Sequence, residues 1–435
     1  MALRLLARLY LFASRLYRWI GRRFTAIGLG VLLLMAATSA TASPDQAMGI
    51  PVFLLLCTLV GMAMLPALWF RVRCSIQREA PRLVTAGEPF TVRVRLRHDG
   101  TTLRRDLEYR EVLHEAPLAL HEVFRRLRPA AEGPSTRQAR CRAVELPALP
   151  ARGEVVCEVE VTAWRRGPLT LAGGQVQRTD PLGIYRAFCI SPAAHTVLVM
   201  PRRYPLPPLD LPGLARHQQG GTALATGIGQ VEEFVALRDY RRGDPLKQVH
   251  WRSAARTGKL VVKEYQDEHQ MRHGLILDTG CAPGDDQRFE EAVAIAASFA
   301  CTVPDQESLL DLLLVADGAQ CVTSGRGVGE VQGMLEVLAT VQPSRVPRTA
   351  ELDALVRRHR ASLSSAVVVL LAWDAPRRAL VRQLKEQRLP TTVLLIQPRG
   401  AAAREPGLPE EQPDRLITLT SGEISAGLQA LGRGA

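Results

Sequence analysis

Three aspartates each follow an apolar run that is typical of a buried strand. Asp278 ends Leu-Ile-Leu-Asp, Asp317 ends Leu-Leu-Leu-Val-Ala-Asp, and Asp374 ends Val-Val-Val-Leu-Leu-Ala-Trp-Asp. In an open parallel sheet the ligand crevice lies at the carboxyl ends of the strands, so carboxylates there can share a hard cation such as Mg²⁺. Structural roles fit as well. Asp317-Gly318 favours a hairpin turn, and Asp278 and Asp374 also suit helix capping or loop packing.

The elements around these aspartates alternate between apolar runs and helical patterns from residue 270 to 435. Strands are predicted at 275–277, 309–316, 367–372 and 392–396. One helix is predicted from Asp285 or Asp286 through Ala300, and others at about 327–340, 351–362, 376–388 and 421–431. Strands that alternate with helices predict a doubly wound α/β domain with a mostly parallel sheet.

The motifs of common enzymes are missing from the sequence. There is no G-x-S-x-G elbow, and the glycine-rich stretch 325–329 lacks the Lys-Ser/Thr pair of a phosphate loop. His269 and His273 have a metal-ligand spacing, but no neighbouring acid completes a zinc motif, so a core or surface role is favoured. We therefore expect no catalytic residues and no cofactor.

The segment 231–268 is the most unusual part of the chain, because eight basic and seven acidic residues surround Tyr240, Trp251 and Tyr265. A nucleic-acid groove needs a surplus of positive charge, which this balance does not provide. Two interpretations are favoured, an internal network of ion pairs and a docking surface for a protein partner, and a catalytic role is the third alternative. The candidate residues are Arg238, Tyr240, Gly243, Asp244, Trp251, Ser253, Arg256, Glu264 and Glu268.

The region before this segment has a sequence pattern typical of a small all-β domain. Between residues 75 and 201, apolar and polar residues alternate with a period of two, as at 90–97 and 157–162. This pattern predicts an antiparallel β-sandwich. The stretch 202–230 is rich in Pro and Gly, which predicts a linker.

A net charge of +12 is compatible with nucleic-acid binding, so the distribution of the charged residues along the chain matters. Residues 1–74 hold eight arginines and one acid, a balance of +7, which leaves only +5 on the other 361 residues. The charge therefore indicates a membrane surface and no nucleic-acid partner.

Two apolar stretches, 24–42 and 48–70, are each long enough to cross the hydrocarbon core of a bilayer. Arginines flank the pair on its outer ends, whereas the connector 43–46 has none, so the positive-inside rule places both chain termini in the cytoplasm. Residues 1–23 form a basic amphipathic pattern that suits the headgroup region, with a disordered tail as the alternative. A cleaved signal peptide in place of the first span also remains open.

Several short clusters in the order of the chain resemble a bacterial family, the domain-of-unknown-function family 58. They are Arg166-Gly167, Thr179-Asp180-Pro181-Leu182-Gly183, Val197-Leu198-Val199-Met200-Pro201, Glu232, Leu237-Arg238-Asp239-Tyr240, Gly243-Asp244, Trp251, Ser253-Ala254-Ala255-Arg256, Lys263-Glu264 and Glu268. The additional Ala255 departs slightly from the family spelling.

The resemblance implies a membrane-tethered protein of the bacterial inner membrane whose C-terminal half is similar to von Willebrand factor type A domains. It also implies a MoxR-type AAA+ ATPase and a transglutaminase-like membrane protein as partners. Such a domain commonly carries a metal-dependent adhesion site, D-x-S-x-S with a Thr and a further Asp. Here Gly280 and Ala282 stand in place of both serines, so only Asp278 and Asp374 remain as candidate ligands for Mg²⁺.

Together these observations predict a two-pass, membrane-anchored multidomain protein, with a β-sandwich at 75–201 and a von Willebrand A-like α/β domain at 270–435 facing the cytoplasm. We interpret it as a non-enzymatic scaffold or adaptor that docks protein partners through 231–268. The alternative is a metal-dependent hydrolase or adhesion module that uses Asp278 and Asp374.

Overall fold

A computed structural model describes most of the chain. The described residues are 19–41, 49–113, 138–207, 232–241, 243–244, 246–267, 272–303, 309–316, 318–324, 328–400 and 412–429. The chain divides into two compact units, 1–202 with 336–340 and 203–335 with 341–435. The predicted amphipathic segment 1–23 lies outside the described residues except for 19–23, as does the linker beyond residue 207.

Two apolar helices begin the first unit, α1 (Ala26–Thr41) and α2 (Gly49–Leu68). Within the described residues, α2 is long and apolar enough to cross a membrane, and α1 is shorter, at 16 residues. Most apolar side chains of both helices are exposed, whereas Phe24, just before α1, and Ala63 of α2 are buried in one cluster with Ile184 and Tyr185. The helices coincide with the predicted stretches 24–42 and 48–70 to within two residues at each end.

The β-rich part of the first unit consists of two sheets. One has the strand order β1-β3-β7-β5 and the other β2-β9-β8-β4-β6. The strands are β1 (Cys74–Glu79), β2 (Leu83–Thr85), β3 (Pro89–His98), β4 (Leu107–Leu113), β5 (Ala139–Cys141), β6 (Val144–Leu146), β7 (Glu154–Ala163), β8 (Gly167–Thr179) and β9 (Arg186–Met200).

A single apolar core lies between residues of both sheets. In β3, Val92, Val94 and Leu96 are fully buried and alternate with exposed arginines, as the period of two predicts. All pairs in these sheets are antiparallel except that of β2 with β9, which is parallel. The arrangement agrees with the predicted sandwich apart from this short parallel strand.

The turn between β8 and β9 packs against the start of α1. Both carboxylate oxygens of Asp180 accept backbone N–H groups, those of Leu182 at 2.9 Å, Ile184 at 2.7 Å and Tyr185 at 2.5 Å. Tyr185 in turn accepts a hydrogen bond on its Oη from Arg23 at 2.7 Å. The Asp-Pro-Leu-Gly sequence therefore builds a rigid turn that holds the beginning of the first apolar helix.

The second unit contains a separate two-stranded hairpin and a six-stranded sheet. The hairpin pairs β10 (Glu232–Asp239) with β11 (Val261–Asp267). The sheet has the order β14-β13-β12-β15-β16-β17, in which only β14 is antiparallel. Its strands are β12 (Arg272–Leu277), β13 (Leu309–Val315), β14 (Ala319–Ser324), β15 (Ser365–Leu370), β16 (Thr391–Gln397) and β17 (Arg415–Thr420).

Helices cover both faces of this sheet. Apart from α3 (Trp251–Thr257), which lies in the hairpin, the helices of this unit are α4 (Asp286–Thr302), α5 (Val328–Thr340), α6 (Thr349–His359), α7 (Ala375–Glu386) and α8 (Ile424–Gln429). Leu352 of α6 and Leu380 of α7 share a core with Ile276, whereas α4 packs on β12, β15 and β16. The neighbours of Ile276, Leu275 and Leu277, are fully buried as well. The structure thus confirms a mixed α/β architecture, and β17 is a strand that the sequence pattern did not predict.

Candidate functional site

Two of the three predicted strand-end aspartates, Asp278 and Asp374, lie together and are joined by an arginine, whereas Asp317 is outside the described residues. We call Asp278, Gly280, Asp374 and Arg377 the strand-end site. Arg377 donates from Nε to Asp278 Oδ2 at 2.5 Å, from Nη1 to Asp374 Oδ2 at 2.5 Å, and from Nη2 to the Gly280 carbonyl at 2.9 Å. One guanidinium therefore binds two carboxylates and a backbone carbonyl.

Local structure fixes each member of the site. Asp278 follows β12 directly, and its Oδ1 accepts the Gly280 N–H at 2.9 Å. Asp374 is the N-cap of α7, where its Oδ1 accepts the Arg377 N–H at 3.2 Å. Capping was one of the structural roles that the sequence left open for Asp374. Arg377 lies in the first turn of α7, so the cap also aims the arginine at Asp278.

Burial makes this network energetically important. The side chains of Arg377 and Asp278 are only 4% and 3% exposed, whereas that of Asp374 is 43% exposed. Burial raises the pKa of the Asp278 carboxyl, and Arg377 opposes that shift. Burial alone would lower the pKa of Arg377, but the two aspartates raise it. Because both oxygens of Asp278 accept N–H groups, from Gly280 and from Arg377, the geometry fits an ionised carboxylate beside a protonated guanidinium.

The residues of the strand-end site do not fit a divalent cation. The cation would have to approach carboxylate oxygens that already bind a positive charge at 2.5 Å. Both serines of the adhesion motif are replaced, and the described residues contain no group of three or more His, Cys, Asp or Glu that could hold a metal. The arrangement positions a loop and a helix; it does not present a free carboxylate for catalysis.

The other candidate region is the segment between and including β10 and β11, which we call the charged hairpin, residues 232–267. Arg238 forms a two-pronged ion pair with Asp244, with Nη1 to Oδ2 at 2.7 Å and Nη2 to Oδ1 at 2.8 Å. Asp244 also accepts the Arg241 N–H at 2.8 Å. Gly243 has a φ of +113°, a conformation that L side chains rarely adopt, which explains the Gly-Asp pair in this turn.

The Arg238 guanidinium, together with the Arg241 N–H, lowers the pKa of the Asp244 carboxyl to about 2. The stabilisation from this pair is therefore fully present above the ordinary aspartate pKa of about 4 and is lost only as the pH falls through about 2. At neutral pH the two charges neutralise each other. The Arg238–Asp244 pair is an ion pair within the hairpin, the kind of contact that an internal network would contain.

Of the remaining candidate residues, two form hydrogen bonds within the hairpin and one is exposed on its surface. Ser253 Oγ lies 2.7 Å from Nδ1 of His250 just before α3, and the Tyr240 N–H donates to the Leu260 carbonyl at 2.9 Å. Arg256 is exposed in α3, Glu264 lies opposite Ala236 in the strand pair, and Glu268 is outside the described residues.

Large apolar side chains of the charged hairpin are exposed. Trp251 is 61% exposed, Leu246 62% and Leu260 44%, and no residue of α3 is buried. Only Val249 and Val262 are buried among its residues with described exposure. Five exposed basic residues accompany this apolar surface, whereas Asp239 is the one exposed acid among those residues; the basic set is Arg241, Lys247, Arg252, Arg256 and Lys259.

The chain from β10 to α8 forms a hairpin followed by an α/β domain. Residues 236–424 match the family described as "Protein of unknown function DUF58". The match runs from inside β10 to the start of α8, so the DUF58 segment contains both the charged hairpin and the strand-end site. The resemblance expected from the sequence is confirmed over this segment.

Other comparisons give partial likenesses. The chain is 31% identical over 85 residues to the uncharacterized protein YeaD of Bacillus subtilis, a match that spans 19% of this chain and 20% of the relative. A solved CARDB domain from Pyrococcus furiosus is 10% identical and covers 29% of this chain and 88% of its own, with a TM-score of 0.16. A beta-glucosidase from Listeria innocua is 13% identical over 29% of this chain and 16% of its own, with a TM-score of 0.17. At these TM-scores the likenesses carry no argument.

Sequence reasoning missed Arg377, although the DUF58 segment contains a signal for it. The first turn of α7 has no acidic residue and contains Arg377 and Arg378. Positive charge is unfavourable at a helix N-terminus, so an arginine there indicates a specific anionic partner. His273, by contrast, is buried with Nδ1 2.7 Å from Ser365 Oγ, and burial lowers its pKa, which fits the predicted structural role.

Proposed function

We propose that this protein is a membrane-anchored, non-enzymatic scaffold that binds a protein partner through its charged hairpin. The observation that carries the proposal is the exposed Trp251 on α3, a helix that buries none of its residues. Large exposed aromatic side chains amid basic residues are typical of protein interfaces, where Trp and Arg contribute most of the binding energy. A purely structural role for this surface would predict burial of the tryptophan.

The partner that fits this surface presents acidic and apolar side chains. Asp244 is paired with Arg238, and among the hairpin residues with described exposure five basic residues but only one acid, Asp239, are exposed. Electrostatic complementarity then favours an acidic partner surface. A MoxR-type AAA+ ATPase is the partner class that the family resemblance implies, with a transglutaminase-like membrane protein as a second client.

We place the scaffold in the bacterial inner membrane with two passes and both termini in the cytoplasm. Support comes from α2 and from the junction at its end, where Trp69 is 83% exposed and is followed by exposed Arg71 and Arg73. Phe24 at the start of α1 packs in the same cluster as Ala63 near the end of α2, so both cationic ends lie on one side. An aromatic residue followed by arginines is typical of a cytoplasmic membrane interface.

A reporter experiment tests this topology. A fluorescent protein fused after Ala435 is expected to fluoresce, and alkaline phosphatase inserted in the connector 43–46 is expected to be active. Active phosphatase at the C-terminus would contradict the proposed orientation.

The likeness of the α/β domain to von Willebrand type A domains is part of the same proposal. It is supported by a strand, a helix and then an antiparallel pair, formed by β12, α4 and the pair of β13 and β14. Asp317 of the predicted hairpin turn lies outside the described residues.

Charge reversal tests the docking surface. The full chain in detergent with Arg252→Glu and Arg256→Glu should bind the MoxR-type ATPase of the same organism at least about tenfold more weakly, because like charges then face the acidic partner. The matched control is Arg105→Glu with Arg110→Glu, two exposed arginines in the other compact unit that give the same change in net charge.

The control double variant is expected to change the affinity by no more than about twofold, because exposed charges away from the hairpin are screened by salt. An equal loss in both double variants would instead indicate non-specific attraction, of the kind that a nucleic acid or an anionic membrane produces. Unchanged binding in the hairpin variant would refute the docking surface.

A further inference from the structure

The strand-end site contains a positive charge of its own. Asp278 and Asp374 come from the ends of β12 and β15, and the guanidinium of Arg377 lies between them with 2.5 Å contacts to both. A hard cation at the carboxyl ends of these strands would use the same two carboxylates. The arginine therefore occupies the electrostatic role that a bound cation would have.

The environment of Gly280 gives an independent observation. A Cβ atom at this position would lie 2.8 Å from Arg377 Nη2, 3.1 Å from Asp278 Oδ1 and 3.3 Å from Cα of Pro347. Gly280 stands where the adhesion motif has its first serine, so that serine and the observed arginine compete for one space. The loss of a hydroxyl ligand and the presence of the guanidinium are thus two parts of one arrangement.

The other polar groups of the loop are already in use. Thr279 Oγ1 donates to the Val315 carbonyl at 2.5 Å, and the Cys281 and Ser344 backbone N–H groups bond across the loop at 2.8 Å each, to Ser344 and Thr279. The loop after β12 is therefore held to its neighbours without a metal ligand. Arg377 adds the link from this loop to α7 through the Gly280 carbonyl.

We propose that Arg377 is a resident cation that replaces the divalent metal at the strand ends, so that this domain folds without metal. This inference goes beyond the proposed scaffold function, because it concerns the domain whatever its partner is. It also predicts a latent metal site: once the guanidinium is removed, two neighbouring carboxylates face the space that it filled.

Thermal unfolding of the full chain in detergent tests the proposal. The wild-type melting temperature should be the same with saturating Mn²⁺ or Mg²⁺ and with a chelator. Arg377→Ala should lower it by about 10 °C, because Asp278 loses its buried partner, and Mn²⁺ should then restore part of the loss in a saturable way. The matched control is Arg382→Ala on the same helix, whose pair with Glu386 is 3.8 Å long and largely exposed; it should behave as the wild type.

A second variant keeps the test decisive if Arg377→Ala does not fold. Arg377→Lys keeps the positive charge but loses the several N–H donors of the guanidinium. Its melting temperature should therefore fall less than that of Arg377→Ala and should not respond to Mn²⁺. Stabilisation of the wild type by Mn²⁺ would overturn the proposal, as would a destabilised but folded Arg377→Ala that gains nothing from Mn²⁺. An Arg377→Ala variant no less stable than Arg382→Ala would overturn it too.

Discussion

Replacement of Arg78 by alanine is expected to lower the free energy of unfolding of the β-sandwich by about 3–5 kcal/mol. Arg78 binds Glu111 with two prongs, Nε to Oε1 at 2.8 Å and Nη2 to Oε2 at 2.9 Å. The two side chains are 4% and 0% exposed. Removal of the arginine leaves a carboxylate without its counter-charge in the apolar core, which is the costly way to break a buried ion pair.

Tyr109 strengthens the argument for this large effect. Its hydroxyl donates to Glu111 Oε1 at 2.7 Å, and burial, reinforced by the Glu111 charge, raises the pKa of Tyr109 far above its ordinary value. The tyrosine therefore remains a donor, but one neutral hydroxyl cannot replace a guanidinium. Burial alone would lower the pKa of Arg78, and Glu111 more than compensates for this.

The measurement is denaturant unfolding of the full chain in detergent, with hydrogen exchange of β3 and β7 amides to locate the loss. Arg93→Ala is the matched control, because its pair with Glu158 has 3.2 Å geometry but side chains 54% and 60% exposed. It should cost less than about 1 kcal/mol. Similar losses in the two variants would contradict the distinction between the buried and the exposed pair.

The fold could be predicted where burial leaves a regular pattern. The alternation of Val92, Val94 and Leu96 with polar residues predicts a strand, because every second residue is buried. The strands of the α/β domain are continuous apolar runs, because helices cover both faces of the sheet. The strand β17 was missed because its burial leaves no such regular pattern in the sequence. It lies at the edge of the sheet, where Leu416 is 47% exposed, so its sequence has neither pattern clearly.

The strand-end site could be predicted only in part. Topology places Asp278 and Asp374 at one edge of the sheet, and the sequence shows both strand ends. The partner of Asp278 is 99 residues away in sequence, in a helix that begins after another strand. Spacing along the chain does not reveal such a contact, and only the unfavourable position of Arg377 at a helix N-terminus pointed to it.

The charged hairpin shows a different limit of sequence reasoning. A count of its charges gives near balance, but the count does not say which of them cancel. Arg238 neutralises Asp244 within one turn, whereas Arg252, Arg256 and Lys259 remain exposed. Among the hairpin residues with described exposure, the exposed charges are therefore mostly basic, and which charges pair is seen only in the structure.

Replacement of Trp251 by alanine is expected to weaken partner binding about 100-fold while it leaves folding almost unchanged. Truncation of an interface tryptophan commonly costs 2 kcal/mol or more, and each tenfold in affinity is about 1.4 kcal/mol. The side chain is 61% exposed, so its removal opens no cavity, and the melting temperature should stay within the range of ordinary surface changes. Affinity for the MoxR-type ATPase and thermal unfolding are measured on the same preparations of the full chain in detergent.

Two comparisons separate docking from a structural role for Trp251. Trp164→Ala, at a 38% exposed tryptophan directly after β7, should leave the affinity unchanged if binding is specific to the hairpin. Arg238→Ala with Asp244→Ala removes the internal ion pair, so it should weaken binding through loss of the hairpin geometry. If Trp251→Ala instead lowers the melting temperature while the folded fraction still binds, the tryptophan stabilises the hairpin and the docking surface lies elsewhere. Loss of affinity at an unchanged melting temperature is the combination that only a partner contact produces.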